Sequence, residues 1–176
     1  MEKEIEFIPV KKEELDKFTK DMADSFAVAT QVYNLPEDKI PPRQTVFDSF
    51  DDPHAEIFHI LANKKKVGGV ILLIDNETNH NKLDLFFLYA GNDNKGLGTL
   101  VWREIELKYP NTKVWELYTP YFEKRNINFY VNKCGFHIVE FFNDHHKEPD
   151  HKDSHRQEPE EHPVKFNYFK FQKIMK

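Results

Sequence analysis

The stretch Asp93-Asn-Lys-Gly-Leu-Gly-Thr-Leu100 decides how this chain is expected to fold. It lies between an apolar run that ends at Ala90 and a helical pattern, and three of the six glycines, Gly91, Gly96 and Gly98, fall within eight residues here. A strand, a glycine-rich turn and a helix N-terminus together direct backbone N–H groups and partial positive charge at an anion. The stretch therefore predicts a phosphate-binding turn, with an ordinary tight turn as the alternative interpretation.

Two well-known phosphate motifs do not match this turn. A P-loop requires a lysine directly after its second glycine, and this chain has Leu97 there. A Rossmann fingerprint requires a glycine or alanine where Val101 stands, and it belongs to βαβ units, whereas the strands before this turn are predicted to form hairpins. Nucleotide triphosphatases and dinucleotide-binding enzymes are therefore disfavoured.

Hydrophobic periodicity on both sides of the turn predicts an α/β (α+β) chain with the order β-α-α-β-β-β-α-β-α-β-β. The predicted strands are Ile5–Pro9, Ala55–Ala62, Val67–Ile74, Leu83–Ala90, Lys113–Thr119, Phe136–Asn143 and Val164–Met175. The predicted helices are Lys12–Thr30, Arg43–Phe50, Leu97–Tyr109 and Ile127–Cys134. Pro110 ends the third helix, and Gly135 suits the left-handed end of the fourth.

Length and composition narrow the class of protein. A chain of 176 residues predicts one domain over residues 1–176, and the net charge of −5 argues against nucleic-acid binding. The longest apolar runs are far shorter than the roughly 18 residues that a membrane span needs. The single cysteine, Cys134, agrees with a reducing compartment, and the first residues lack the pattern of an export signal. We therefore expect a cytoplasmic protein that binds neither nucleic acid nor membranes.

Several motifs together resemble the Gcn5-related N-acetyltransferase (GNAT) superfamily. Gly96 and Gly98 match the glycines of its acyl-CoA motif, which follows the fourth strand. Tyr130 and the pair Gly135-Phe136 match a helix that ends in Tyr-x-x-x-Gly-Phe, with one additional residue between them. The resemblance implies a mixed, mostly antiparallel sheet of about seven strands flanked by about four helices, with strands 4 and 5 splayed apart.

The resemblance also implies a site for acetyl-CoA as cosubstrate. In this family the pantetheine arm binds the exposed backbone of the fourth strand, and the turn and helix N-terminus after it hold the pyrophosphate. Carried over to this chain, the cofactor-binding residues would be Leu88, Tyr89, Ala90, Lys95, Gly96, Leu97, Gly98 and Thr99. Asn126, one turn before Tyr130 on the same helix face, is expected to contact pantetheine as well. Two residues depart from the family pattern, because Asp93 replaces the usual Gln or Arg and Glu123 stands where many members have an Asn.

The implied chemistry is direct transfer of an acetyl group to a primary amine, without a metal or a covalent intermediate. Tyr130 would protonate the departing CoA thiolate, and Asp84 on the fourth strand is our first candidate for the base that deprotonates the amine. Glu116 and Glu123 are alternative bases. The acceptor, a small molecule or a peptide, is left open, as is a homodimer. The alternative function is a non-catalytic sensor or interaction module that binds acyl-CoA.

Residues 144–163 form an acidic segment, rich in histidine and proline, between the last two predicted strands. It contains five of the nine histidines, but their spacing matches no structural zinc pattern, so no metal ligands are assigned. A mobile, solvated loop is the favoured interpretation. A second hypothesis is that the segment attracts cationic amines and that its histidines tune this attraction with pH. A histidine-rich metal-binding protein is the third alternative.

Overall fold

A computed structural model describes residues 3–32, 43–92, 96–149 and 167–176. The strands are β1 (Ile5–Pro9), β2 (Ala55–Ala62), β3 (Lys65–Leu73), β4 (His80–Leu88), β5 (Val114–Pro120), β6 (His137–Phe142) and β7 (Tyr168–Ile174). The helices are α1 (Leu15–Val32), α2 (Arg43–Asp51), α3 (Leu97–Lys108) and α4 (Lys124–Asn128). A single 3-10 turn, Lys12–Glu14, precedes α1, and a π-helical segment, Phe129–Lys133, continues α4.

The seven strands form one sheet in the order β1-β2-β3-β4-β5-β7-β6. All neighbours are antiparallel except β4 and β5, which pair in parallel over only three rungs, from His80–Val114 to Lys82–Glu116. Beyond these rungs β4 continues beside β3, and β5 continues beside β7. The two strands therefore diverge and leave a gap in the middle of the sheet, which we call the β4–β5 gap.

Two apolar cores lie on opposite faces of the sheet. On one face, α1 and α2 cover β2, β3 and β4, with Phe18, Met22 and Val46 fully buried against them. On the other face, α3 and the π-helical segment pack on the sheet through residues such as Trp102 and Tyr130. Over β5, β7 and β6, the α1/α2 face carries no described helix. This uncovered half-face is bordered by the β4–β5 gap.

The predicted fold class and element order are confirmed, and the boundaries shift for identifiable reasons. The turn of the β2–β3 hairpin is shorter than predicted, because Asn63 and Lys64 adopt positive φ angles of 50° and 66° and a two-residue turn of that kind suits a hairpin. β4 begins at His80 rather than Leu83, because its first residues pair with β5. None of the described helices is both long and apolar enough to cross a membrane.

Candidate active site

The β4–β5 gap exposes main-chain groups of β4. The N–H of Tyr89 donates to the carbonyl of Val67 at 2.8 Å, which makes Leu88 and Gly68 a non-hydrogen-bonded pair of the antiparallel ladder. The N–H and C=O of Leu88 therefore point away from β3, and by alternation those of Phe86 do the same. Both residues direct a donor and an acceptor into the gap.

Of the three residues that the sequence predicts at the end of the fourth strand, Leu88 is the last residue of β4, and Tyr89 and Ala90 follow it. Leu88 faces the gap through its main chain, whereas the amide of Tyr89 is already paired with β3. The Tyr89 hydroxyl donates to Asp21 of α1 at 3.1 Å, and burial, with help from that carboxylate, raises the pKa of Tyr89 to about 12. Ala90 is exposed just beyond the strand. Tyr89 thus ties the end of β4 to α1.

The N-terminus of α3 lies directly after this strand end. Gly96 is the N-cap residue, with φ of 69°, and among the described residues no side chain caps the helix. The first amides of α3, at Leu97, Gly98 and Thr99, have no intrahelical acceptor, since the first turn of any helix leaves its N–H groups unsatisfied. The first turn carries no acidic residue. These amides are available to an anion, while Lys95 and Asp93 lie outside the described residues.

The additional residue between Tyr130 and Gly135 is absorbed by the π-helical segment. The N–H of Cys134 donates to the carbonyl of Phe129 at 3.1 Å, a bond across five residues instead of four. One extra residue is thereby accommodated within a single turn. The N–H of Phe136 then donates to the carbonyl of Tyr130 at 2.9 Å, which fixes the helix end against the start of β6. The π-helical turn therefore accommodates the extra residue and still ends the helix at the Gly135-Phe136 pair.

Tyr130 is buried at the core of this segment. Its ring contacts those of Phe129, Phe136 and Phe171 at centroid distances of 5.1, 5.9 and 6.1 Å. Within the described part of the chain, no hydrogen bond is formed by its hydroxyl. Burial raises the pKa of Tyr130 above its ordinary value, with smaller contributions from Cys134 and Glu123. The phenol is therefore protonated at neutral pH and available as a donor.

The segment around Tyr130 also meets β4 and α3. The Phe129 ring lies 6.1 Å from that of Phe86, and a Cβ atom at Gly98 would come within 3.2 Å of the Phe129 ring. A glycine at this position lets the helix N-terminus and the π-helical segment approach closely. Asn126, one turn before Tyr130, is half-buried. The gap, the free amides and the tyrosine thus form one continuous region.

Asp84 lies at a β-bulge that could not be foreseen from the sequence. Leu72 pairs with Leu83 and Ile71 with Leu85, so Asp84 is the extra residue of β4. The bulge directs its carboxylate to the α1/α2 face, where Ser49 of α2 donates to it at 3.3 Å. Since Lys82 is the last β4 residue paired with β5, Asp84 stands where the gap opens.

Glu116 is held by a network of neighbouring side chains. It accepts hydrogen bonds from Gln172 at 3.0 Å and from the Tyr118 hydroxyl at 3.1 Å, and its ion pair with Lys170 is 3.0 Å long. Burial alone would raise the pKa of the Glu116 carboxyl. The hydrogen bonds from Gln172 and Lys170 and the positive charges of Lys170 and Lys82 outweigh that effect, so the pKa lies below its ordinary value. A carboxylate held in this way is a weak base.

Sequence reasoning overlooked the partners of Glu116. Lys82, Tyr118, Lys170 and Gln172 lie on β4, β5 and β7 and look unremarkable one by one. The available signal was alternation, because Glu116 and Tyr118 interrupt the apolar residues of β5 and must face the opposite side of the sheet. The sequence does not reveal the β5–β7 pairing that places Lys170 opposite Tyr118.

Glu123, the third candidate base, precedes α4 on the far side of the gap. It is half-buried, and burial raises the pKa of its carboxyl, which Arg125 only partly offsets. The negative charge of its carboxylate contributes to the raised pKa of the Tyr130 phenol. The fold therefore places Asp84 and Glu116 on the α1/α2 face, and Glu123 near the tyrosine.

Only the beginning of the acidic segment is described. His146 stacks on Phe142 at 5.4 Å, and its Nε2 lies 2.8 Å from a Glu140 oxygen. Three further histidines of the segment, His151, His155 and His162, lie outside the described residues. Within the described ranges, no three His, Cys, Asp or Glu side chains come close enough together to hold a metal ion.

The comparisons with known proteins agree with this geometry. The acetyltransferase (GNAT) family model matches residues 18–136. The match covers more than half of the chain, so the chain belongs to the GNAT acetyltransferase family.

A relative from Bacillus subtilis (strain 168), described as uncharacterized protein YrkN, is 45% identical over 168 residues, which cover 94% of this chain and 91% of the relative. The ribosomal-protein-S18-alanine N-acetyltransferase of Escherichia coli is 11% identical, with a TM-score of 0.67 over 97% of this chain and 94% of that chain. A Bacillus subtilis acetyltransferase in complex with CoA is 14% identical, with a TM-score of 0.60 over 99% of this chain and 100% of that chain. At these identities, the two solved structures show the fold alone.

Proposed function

We propose that this protein transfers an acetyl group from acetyl-CoA directly to a primary amine, within a ternary complex. Family membership supports acetyl transfer in general. The observation that carries the proposal is the end of the β4–β5 pairing at Lys82–Glu116. Beyond it, Phe86 and Leu88 offer main-chain donors and acceptors to an extended amide chain, and the pantetheine arm of CoA is such a chain.

The pyrophosphate would be held by the amides of Gly96, Leu97, Gly98 and Thr99 and by Lys95, a sequence-predicted contact that lies outside the described residues. A phosphate group at a helix N-terminus is favoured by both the free N–H groups and the helix dipole. The pantetheine arm would then run back along β4 past Ala90, Tyr89 and Leu88, with Asn126 facing it from α4. This arrangement uses the cofactor-binding residues predicted from the sequence and stays a proposal for each of them.

The length of the arm sets where the thioester lies. About twelve bonds separate the pyrophosphate oxygen from the sulfur, which equals roughly four residues of extended backbone, or about 13 to 14 Å. Measured back from the strand end, this length reaches Phe86 when it starts at Ala90 and Asp84 when it starts at Leu88, so the sulfur would lie between these two residues. The thioester would therefore lie next to the Asp84 bulge, and the N–H of Phe86 would be placed to stabilise its oxyanion.

Asp84 would accept a proton from the amine, directly or through a water molecule. A primary amine with an ordinary pKa near 10.4 must lose a proton before it can attack, at a cost of roughly 4 to 5 kcal/mol at pH 7. Asp84 lies where the gap opens onto the uncovered half-face. Glu116 is the less suitable base, because its carboxylate already accepts from Lys170, Gln172 and Tyr118.

Tyr130 would donate its proton to the CoA thiolate as the carbon–sulfur bond breaks. Its protonated phenol and its position beside Phe129, which contacts both β4 and α3, support this role. Donation from a positioned acid contributes about 100-fold or more to the rate of such a step. The acceptor, a small molecule or a peptide, would approach from the uncovered half-face.

Cofactor binding and turnover test the proposal separately. Thermal unfolding with and without CoA should show an upward shift of Tm on binding. Release of free thiol from acetyl-CoA should then be measured with a panel of amines, which includes polyamines, amino acids and lysine peptides. Binding without thiol release for any amine would favour a non-catalytic acyl-CoA-binding module. Absence of binding would refute both functions.

A further inference from the structure

Lys82 marks the closed end of the β4–β5 gap. Its ammonium nitrogen lies 3.7 Å from Oε1 of Glu116 and 5.9 Å from the centre of the Tyr118 ring. Lys82 and Glu116 form the last rung between the two strands. The side chain faces the same side of the sheet as Asp84, which is the side from which an acceptor amine would enter. A primary amine of the chain itself is therefore present at the acceptor side of the gap.

Two lysines share Glu116, and they differ in how firmly they are held. Lys170 contacts the carboxylate at 3.0 Å and is 19% exposed, whereas Lys82 is farther away and 41% exposed. Loss of the Lys82 contact leaves Glu116 with Lys170, Gln172 and Tyr118 as partners. The ammonium of Lys82 can therefore leave its ion pair without stranding a buried charge, as it would have to do in order to react.

The reach of this side chain matches the expected position of the thioester. Because of the bulge at Asp84, Lys82 and Leu85 lie opposite Leu73 and Ile71 of β3, which are two residues or about 7 Å apart. The acetyl carbon would lie beyond the sulfur toward the closed end of the gap. The four-carbon stem of lysine spans much of this distance. Proximity of this kind replaces a collision between two molecules with a step inside one molecule, which raises its rate steeply.

We infer that Lys82 is an acetylation site of the protein's own active site. The inference rests on the proposed function. The Nζ–carbon bond forms as the carbon–sulfur bond of acetyl-CoA breaks. The ammonium loses one proton to Asp84 or to water before it attacks, and the nitrogen loses a second proton after the new bond forms. The CoA thiolate takes up the proton of Tyr130, and the second nitrogen proton returns through water to the Tyr130 phenolate, so that one proton is released overall. The products are Nε-acetyl-lysine at position 82 and CoA. The modification removes one positive charge from the acceptor side of the gap.

Lys66 provides a matched internal control. It is 42% exposed, and its ammonium forms an ion pair with Glu14 at 3.4 Å, so it resembles Lys82 in exposure and pairing. It lies on β3, outside the gap. Acetyl-CoA that reacts with surface lysines without catalysis should modify the two residues to similar extents. Catalysis in the gap should modify Lys82 alone at an increased rate.

The experiment incubates the full chain with acetyl-CoA and no added acceptor, and follows intact mass and peptide acetylation over time. Lys82 should gain an acetyl group at least roughly tenfold faster than Lys66. The rate of Lys82 acetylation per molecule should not depend on protein concentration. The substitution Tyr130→Phe should slow acetylation of Lys82 but not acetylation of Lys66. In Lys82→Arg, thiol release without added acceptor should fall to the level of uncatalysed hydrolysis.

Equal rates at Lys82 and Lys66, or the same Lys82 rate in Tyr130→Phe, would overturn the inference. A rate per molecule that rises with protein concentration would do so too, because it would indicate transfer between copies. If the protein also releases thiol with amines of the panel, the proposed function survives this failure. If CoA produces no thermal shift, the proposed function and the inference fail together.

Discussion

Replacement of Tyr130 by phenylalanine distinguishes a loss of turnover from a loss of stability or of CoA binding. The substitution removes only the hydroxyl and keeps the ring that packs against Phe136 and Phe171. No hydrogen bond to a described residue is lost, so the free energy of unfolding should change by less than about 0.5 kcal/mol. The affinity for CoA should also be retained, because the proposed contacts lie along β4 and α3.

Turnover should respond very differently. If the hydroxyl protonates the departing thiolate, its loss should lower kcat by about 100-fold, which corresponds to about 2.7 kcal/mol in the activation free energy. The assay is thiol release at saturating acetyl-CoA and amine, combined with calorimetric binding of CoA and urea unfolding. Since the pKa of Tyr130 is raised, its ionisation should not limit the wild-type rate near neutral pH.

Tyr109→Phe is the matched control. The Tyr109 hydroxyl donates to Glu56 at 2.8 Å, and this residue follows the C-terminal end of α3, about 18 Å along the helix from its N-terminus. Its loss should cost roughly 1 to 2 kcal/mol of stability and leave kcat unchanged. An unchanged kcat in Tyr130→Phe, with acetyl-CoA and amine both saturating, would refute the assignment of Tyr130 as the acid.

Three further predictions concern the base, the anion site and a buried histidine. Asp84→Asn should lower kcat/KM by about 100-fold. Glu116→Gln should leave kcat/KM nearly unchanged and lower the free energy of unfolding by roughly 2 kcal/mol, because Lys170 loses its carboxylate. Thiol-release kinetics and urea titrations check both variants, and a large loss of kcat/KM in Glu116→Gln with none in Asp84→Asn would reverse the assignment. Thr99→Glu should stabilise the free protein by about 0.5 kcal/mol through the helix dipole, yet raise the Kd for CoA at least about tenfold by repulsion of its pyrophosphate; calorimetry that finds an equal Kd would contradict the anion site. Burial lowers the pKa of His59 below its ordinary 6.5. Below about pH 6.5 the unfolded chain therefore binds more protons than the folded one, and the free energy of unfolding should fall as the pH drops. Urea midpoints measured across pH should show this fall in the wild type and a smaller fall in His59→Leu.

Much of the fold could be predicted from local patterns. Strand alternation, helical spacing and the breaks at Pro110 and Gly135 identify the elements, because each of these signals lies within a few residues of the chain. The glycines Gly96 and Gly98 also locate the turn after β4 correctly. Tyr130 could be placed beside Gly135-Phe136 despite the extra residue, although the π-helical turn that absorbs this residue leaves no local signature.

Contacts between distant segments could not be predicted. The bulge at Asp84 depends on the pairing of Ile71 and Leu72 with β4, and alternation along one strand does not reveal which residue is extra. Glu116 looks like a candidate base in the sequence, and only the pairing of β5 with its neighbours β7 and β4 supplies the residues that lower its pKa. Register between strands, rather than residue type, decides these properties.

The short pairing between β4 and β5, only three rungs long, also affects how long the folded protein survives in a cell. Few backbone bonds cross this seam, so a ligand that binds along β4 acts as a missing strand and joins the two parts of the sheet. Binding to the native state alone stabilises it by about 2.7 kcal/mol when the free ligand is at 100 times its Kd. The lifetime of the protein against proteolysis would then rise and fall with the supply of its cosubstrate.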